Sequence, residues 1–189
     1  MEWNETFRES AFGEHTPLPV SLQLKDLKLQ YSTQTPYRAA ALYNVFLLKR
    51  SAAEVMDLFE QVANEAMEEC NEKYQALCDR EQIEGIGKVK VLRYEEILHY
   101  ATIKLGEAEV NRMKQEVFCR DDWDDREKSL RIVDSLMIAC QELTPATVLL
   151  FAPPYYPAVN SSEHPIVKNA VALLKEEIKK FELTLDHIH

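Results

Sequence analysis

The sequence closes on His187-Ile188-His189, the place where two histidines stand at a ligand-like spacing. On a strand both rings point to one side and could share a metal ion. Asp186 is adjacent but faces the other way, and no third ligand stands nearby, so the plain reading is a polar chain end. His15, His99 and His164 stand apart from one another. Three carboxylate pairs, Glu68-Glu69, Glu95-Glu96 and Glu176-Glu177, fall inside helix-like segments. Adjacent helical residues diverge by about 100° and cannot both address one substrate atom, so these pairs read as solvated faces. No GxSxG nucleophile elbow occurs. Lys25, Asp26 and Lys28 cluster where a strand pattern changes phase; the readings are an exposed bulge or a contact site. The densest chemistry lies in Pro153-Pro154-Tyr155-Tyr156-Pro157, directly after an apolar run. Prolines fix the backbone and end sheet pairing, and tyrosines pack while keeping a hydrogen-bonding tip. The segment is either a rigid strand exit or a stiff hinge bordering a site.

Composition narrows the classes. The chain has 189 residues, a net charge of −10, 46% hydrophobic and 29% charged residues. That length suggests one domain with room for a core. The acidic balance argues against a nucleic-acid partner, which requires a basic stripe. No apolar run approaches the roughly 20 residues of a membrane span, and the polar start MEWNETFRES has no signal-peptide core. The cysteines, Cys70, Cys78, Cys119 and Cys140, form no CxxC pair. They read as free thiols of a reducing cytoplasm, with a metal or redox role as the alternative. Gly85-Ile86-Gly87 is too little for a phosphate loop and reads as a turn.

The elements that position these residues follow from periodicity. Residues 1–16 read as a loose arm or the tail of a helix. Val20, Leu22 and Leu24 alternate with polar residues, and Leu27, Leu29 and Tyr31 continue on the opposite phase, implying a bulge or reversal at Lys25-Asp26. Tyr37 to Leu48 is apolar on both faces and reads as a central strand. Ser51 and Glu54 have capping-box spacing, and Val55, Leu58, Phe59, Val62 and Ala66 continue a long amphipathic helix to about Arg80. A minor strand at Val89–Val91 precedes helices near 94–105, 107–119 and 123–143. Ala146 to Phe151 is a strand, a helix opens at Pro165, and Leu183 to His189 reads as a strand just begun. The order is α+β, with few signals of a parallel sheet.

Leu22 to Leu48 and Val148 to Val159, with DLK at Asp26 to Lys28, QTP at Gln34 to Pro36 and APPYYP at Ala152 to Pro157, together resemble RocB-like proteins. These are the arginine-utilisation branch of the zinc aminoacylase and carboxypeptidase superfamily. The resemblance implies a ferredoxin-like antiparallel sheet layered with helices: a lid or dimerisation domain of a zinc-dependent amidohydrolase or peptidase. On that reading residues 17–159 are the lid, with a helical insertion at about 85–143. Pro154, Tyr155 and Tyr156 lie at the crossing back to the catalytic domain, close to substrate. Lys25, Asp26 and Lys28 have a contact role, and residues 160–189 belong to the catalytic half.

The departures are equally specific. The family's HxD metal segment is absent, its Glu-Glu pair is matched only by mid-helix pairs, and its lid histidine has no counterpart here. No catalytic or metal residue is therefore assigned, and zinc is implied for the parent enzyme only. The chain reads as an excised piece lacking the first lid strand, inactive by itself. Its expected partners are the catalytic domain of the same polypeptide and a second copy in a homodimer, without nucleic acid or membrane. The alternative is a free-standing cytoplasmic protein-interaction domain.

Overall fold

The computed structural model describes residues 2–27, 37–159, 161 and 163–181. Among them, strand and helix mix as an α+β chain. The N-terminal segment is ordered. A 3-10 turn at Glu5–Phe7 leads into a small hairpin of β1 (Ser10–Ala11) and β2 (Glu14–His15). Phe7 is buried, and its ring meets Phe59 edge-on at 6.4 Å. This replaces the loose arm expected from the polar sequence: one buried aromatic, Phe7, and one buried carboxylate, Glu9, hold the segment in place.

β3 (Val20–Asp26) pairs antiparallel with β4 (Ala39–Asn44). The register shifts between Ser21 and Gln23, so the bulge sits at Leu22 rather than at Lys25-Asp26. Lys25 and Asp26 instead stay in the ladder opposite Ala40 and Ala39. β4 has β3 as its one partner among the described residues, so it is an edge strand where the apolar sequence promised a central one. Lys28 and the stretch to Pro36 lie outside the described residues, as does Leu183 to His189.

α1 (Ala52–Glu81) opens with the expected capping box: Ser51 accepts from the Glu54 amide, and the Glu54 carboxylate accepts from Ser51 N at 2.8 Å. It ends at Gln82, whose left-handed conformation (φ 55°) turns the chain away. β5 (Lys90–Arg93) then runs parallel to β6 (Ala146–Leu149), with α2 (Tyr94–Leu105), α3 (Glu107–Phe118) and α4 (Asp125–Ala139) as the crossover. The parallel pair was not legible as such, because each strand is only four residues long. Both faces of this pair are covered. Leu92 and Val148, directly opposite in register, pack on the α2–α4 bundle. Val91 and Leu149 pack on Met56, Phe59 and Ala63 of α1. Two covered faces explain why Ala146 to Phe151 is apolar at every position but Thr147.

The main core lies between α2, α3 and α4, where Ile97, Ala101, Leu136 and Cys140 are at most 1% exposed. The helices expected to be an insertion thus carry the tightest packing. α5 (Pro165–Phe181) follows the proline-rich segment and leaves Ile166, Leu173 and Leu174 more than half exposed.

Candidate functional site

The hairpin β3–β4 and the parallel pair β5–β6 both lie against α1 but do not join among the described residues. Between them runs a groove of about 1790 Å³. Its floor is one stripe of α1, Val55, Phe59, Val62 and Ala66, at the three- and four-residue spacing that puts side chains on one helical face. Leu130, Val133 and Met137 of α4 close the opposite wall. Tyr43 of β4 meets Phe59 edge-on at 6.4 Å, so that aromatic pair marks where strand and floor touch.

The proline-tyrosine segment forms one end of this groove. Pro153 to Pro157 all border it, with Tyr155 52% and Tyr156 78% exposed. Arg126 of α4 donates from Nε to the Pro153 carbonyl at 3.2 Å, tying the segment to the helix bundle. β6 therefore leads directly into the proline-rich end of the groove. Pro154, Tyr155 and Tyr156 all stand at this end of the groove.

Lys25 goes elsewhere. Its ammonium pairs with Glu127 of α4, and it does not border the groove. Asp26 stays at the end of β3 opposite Ala39, and Lys28 lies outside the described residues. The charged cluster of the sequence is thus separate from the tyrosines. It is one end of an ion-pair chain that sequence reasoning missed. Glu127 also accepts from Arg131 Nε at 2.7 Å; Arg131 reaches Asp134 at 4.0 Å; Asp134 pairs with Arg38 at the start of β4. Arg131 further lies 5.5 Å from the Trp123 ring centroid, a cation–π distance. The signal in the sequence was Glu127, Arg131 and Asp134 at four- and three-residue spacing. Nothing in one sequence shows that Lys25 and Arg38 cross to that helix.

The electrostatics are those of a latch. Burial raises the pKa of Glu127, but hydrogen bonds from Lys25 and Arg131 outweigh it and hold the carboxyl below its ordinary value. Asp134 is only 9% exposed and stays paired with Arg38. Each carboxylate is engaged by cations from two elements, so this row fixes the hairpin on α4.

A second carboxylate holds the N-terminal segment. Glu9, 7% exposed, accepts from the amides of Leu48, Lys49 and Arg50 at 3.0, 2.8 and 2.9 Å. Burial pushes its pKa up, and the three amides with the Arg50 charge pull it further down, so it ionises below the ordinary range.

The expected solvated pairs are exposed: Glu68, Glu69, Glu95, Glu96, Glu176 and Glu177 all face solvent. Glu96 accepts from the Arg93 amide, a helix start rather than a site. Among the described residues no group of three or more His, Cys, Asp or Glu stands where it could hold a metal ion. His187 and His189 lie outside the described residues. Among those residues, too, no helix is long and apolar enough to cross a membrane.

These features define an α+β chain organised around an open apolar groove with a proline-tyrosine end wall and an ion-paired flank. An uncharacterised protein of Bacillus subtilis (strain 168), YqjN, is 37% identical to it over 181 residues, covering 93% of this chain and 33% of that protein. The chain spans about a third of the length of the curated relative it matches. No family model matches the chain. No solved structure matches it.

Proposed function

We propose that this chain is an accessory domain, of lid and dimerisation type, in a longer metal-dependent amidohydrolase or peptidase of the RocB-like kind. It encloses substrate and mediates assembly without reacting itself. The observation that carries the reading is the groove. It is lined by apolar side chains and left open, and it ends on the stiff crossing Pro153 to Pro157, where a lid would join the reacting part. A relative three times as long, matched over nearly the whole of this chain, supports the status of a part. The ferredoxin-like layering belongs to the proposal, with β3, β4 and β6 as strands laid on α1 as the helix. So does homodimer formation.

The implied metal has no place among the residues described. No cluster of donors is present there, so these side chains do not fit a zinc site, and no step of hydrolysis is derived through them. A cytoplasmic setting belongs to the same reading, since Cys70, Cys78, Cys119 and Cys140 are all free thiols.

The test is Tyr155→Ala with Tyr156→Ala in the longer protein. Turnover falls by about tenfold, the loss of about 1.4 kcal/mol of transition-state positioning, with bound metal unchanged. Unchanged turnover removes both tyrosines from the site, and loss of metal overturns the accessory role. The same open groove favours a second reading, a free-standing protein-interaction domain. Finding the chain made as a separate polypeptide that binds a protein partner would select it.

A further inference from the structure

The small hairpin β1–β2 carries a nucleophile and a base side by side. Ser10 and His15 stand directly opposite in its register, and the Ser10 hydroxyl lies 2.6 Å from His15 Nδ1. The pairing follows from the turn. Phe12 and Gly13 both have positive φ, 56° and 84°, as a two-residue hairpin loop requires. Ala11 and Glu14 flank that loop, so Ser10 and His15 form the next pair, one without ladder hydrogen bonds. Glu9 and Thr16 follow, and there the Thr16 amide donates to the Glu9 carbonyl at 2.9 Å, in keeping with the alternation. Facing side chains come closest in a pair without ladder bonds, which brings a short serine into contact with an imidazole.

The two faces of the hairpin differ. Phe7, Glu9 and Thr16 are buried, whereas Arg8, Ser10 and His15 are exposed. The buried face is fixed in two ways: the amides of Leu48, Lys49 and Arg50 hold the Glu9 carboxylate, and the Glu9 amide donates to Thr16 Oγ1 at 2.9 Å. A buried anchor thus holds the Ser10–His15 pair on a surface with little freedom to turn. Arg8 stands two residues before Ser10 in extended backbone, so its side chain leaves the chain on the Ser10 side. Its ion pair with Glu5 is long, 3.9 Å, and exposed, and the guanidinium leaves it at little cost.

We propose that Ser10 is an acyl-accepting nucleophile with His15 as its base, and that the donor is an acyl phosphate, an activated acyl group on an anionic leaving group. With the imidazole proton on Nε2, the Ser10 hydroxyl donates to Nδ1, inside the reach of about 2.6–3.2 Å that proton transfer needs. Ser10 Oγ bonds to the acyl carbon while its proton passes to Nδ1. The bond from that carbon to the phosphate oxygen breaks, phosphate leaves with the electron pair, and the imidazolium yields its proton to water. Arg8 pairs with the phosphate as it leaves. The product is a chain esterified at Ser10, a covalent mark that is independent of the hydrolase reading.

The test incubates the 189-residue chain with acetyl phosphate and maps acetylation by mass spectrometry of its peptides. Hydroxylamine separates the products, since it removes acetyl from a serine ester and leaves lysine amides intact. Ser10 should react at least about a hundredfold faster than Ser129, whose hydroxyl donates to the Asp125 carbonyl at 2.8 Å and so meets a carbonyl where Ser10 meets an imidazole. His15→Asn keeps a polar side chain without the basic nitrogen, and should lower the Ser10 rate by about a hundredfold. Arg8→Gln should lower it by about tenfold with acetyl phosphate and leave it unchanged with para-nitrophenyl acetate, a donor without charge. Both substituted side chains are exposed, so an unchanged thermal midpoint separates lost chemistry from lost fold. Ser10 labelling no faster than that of Ser129, or unaffected by His15→Asn, overturns the proposal. Acetyl found on His15 in place of Ser10 overturns it as well, because the imidazole is then the nucleophile. Equal losses with both donors in Arg8→Gln overturn the choice of an acyl phosphate.

Discussion

Between α2, α3 and α4, Ile97 and Leu136 are exposed by no more than 1%, whereas Leu24 on β3 is 80% exposed and Leu22 50%. Both regions are built from apolar residues at regular spacing. The difference lies in the number of layers each element can reach. The helices of the bundle close on one another and on β5–β6, so their inward apolar residues find partners. The β3–β4 hairpin meets α1 at one aromatic contact and α4 through ion pairs, leaving its edge and one face open. A region held by charge pairs keeps its geometry while its apolar surface stays available.

The largest effect is expected where the contrast is sharpest. Leu136→Ala removes a side chain 1% exposed from a closed core, and should cost about 3–4 kcal/mol. Leu24→Ala, at 80% exposure, should change stability by under about 0.5 kcal/mol. Urea unfolding of the two variants checks both figures. Comparable losses would mean that the hairpin is as closed as the bundle, and the comparison would fail.

The latch comes next. Asp134→Ala leaves Arg38 without its carboxylate on a mostly buried flank, and a loss of about 2–3 kcal/mol is expected. A cycle with Arg38→Ala should show a coupling of about 1 kcal/mol or more, because the pair acts as one unit. Additive losses would show that the hairpin is held by something other than this pair, and that the charge row is incidental.

How much of this contrast was legible depends on whether a signal is local. The capping box at Ser51 and Glu54, the stripe of α1 and the breaks at Gly106 and Pro165 are set by neighbours in sequence, and each falls where the spacing predicts. The parallel pairing of β5 with β6 joins residues more than fifty positions apart, and nothing in four residues encodes the partner. The bulge was misplaced because alternation after Leu24 was used to locate it, while the ladder breaks at Leu22. Tyr37 to Leu48 read as central because both faces are apolar. Tyr37 to Leu47 line the groove, so among the described residues the apolar residues on this edge strand border open space instead of a second strand.

Glu9 offers a smaller effect with a pH signature. Glu9→Gln keeps the shape but weakens three charge-assisted hydrogen bonds, costing about 1–2 kcal/mol at neutral pH. The carboxyl ionises lower in the folded chain than in the unfolded one, so its contribution is present above the unfolded value. It is lost as pH falls through the folded value, where both states are protonated. The wild type and the variant should therefore differ at pH 7 and converge in acid. A difference that persists in strong acid would assign the effect to packing, and would place the N-terminal segment with the closed region instead of the latched one.

A small effect at the groove's end sharpens the contrast most. Tyr155 and Tyr156 are 52% and 78% exposed at the groove's end, with no closed core behind them. Their joint replacement by Ala should shift the stability of the 189-residue chain by under about 1 kcal/mol, since exposed side chains lose little contact on truncation. With the groove filled, the same two rings would be covered, and their removal would then cost stability that the open chain never had. Measuring the variant against wild type by thermal unfolding, alone and within the longer protein, separates the cases. A small shift in the first and a larger one in the second makes the tyrosines part of a surface completed from outside. A large shift in the chain alone would mean that they already support the fold, and that the groove ends in a structural wall with no role in joining two parts.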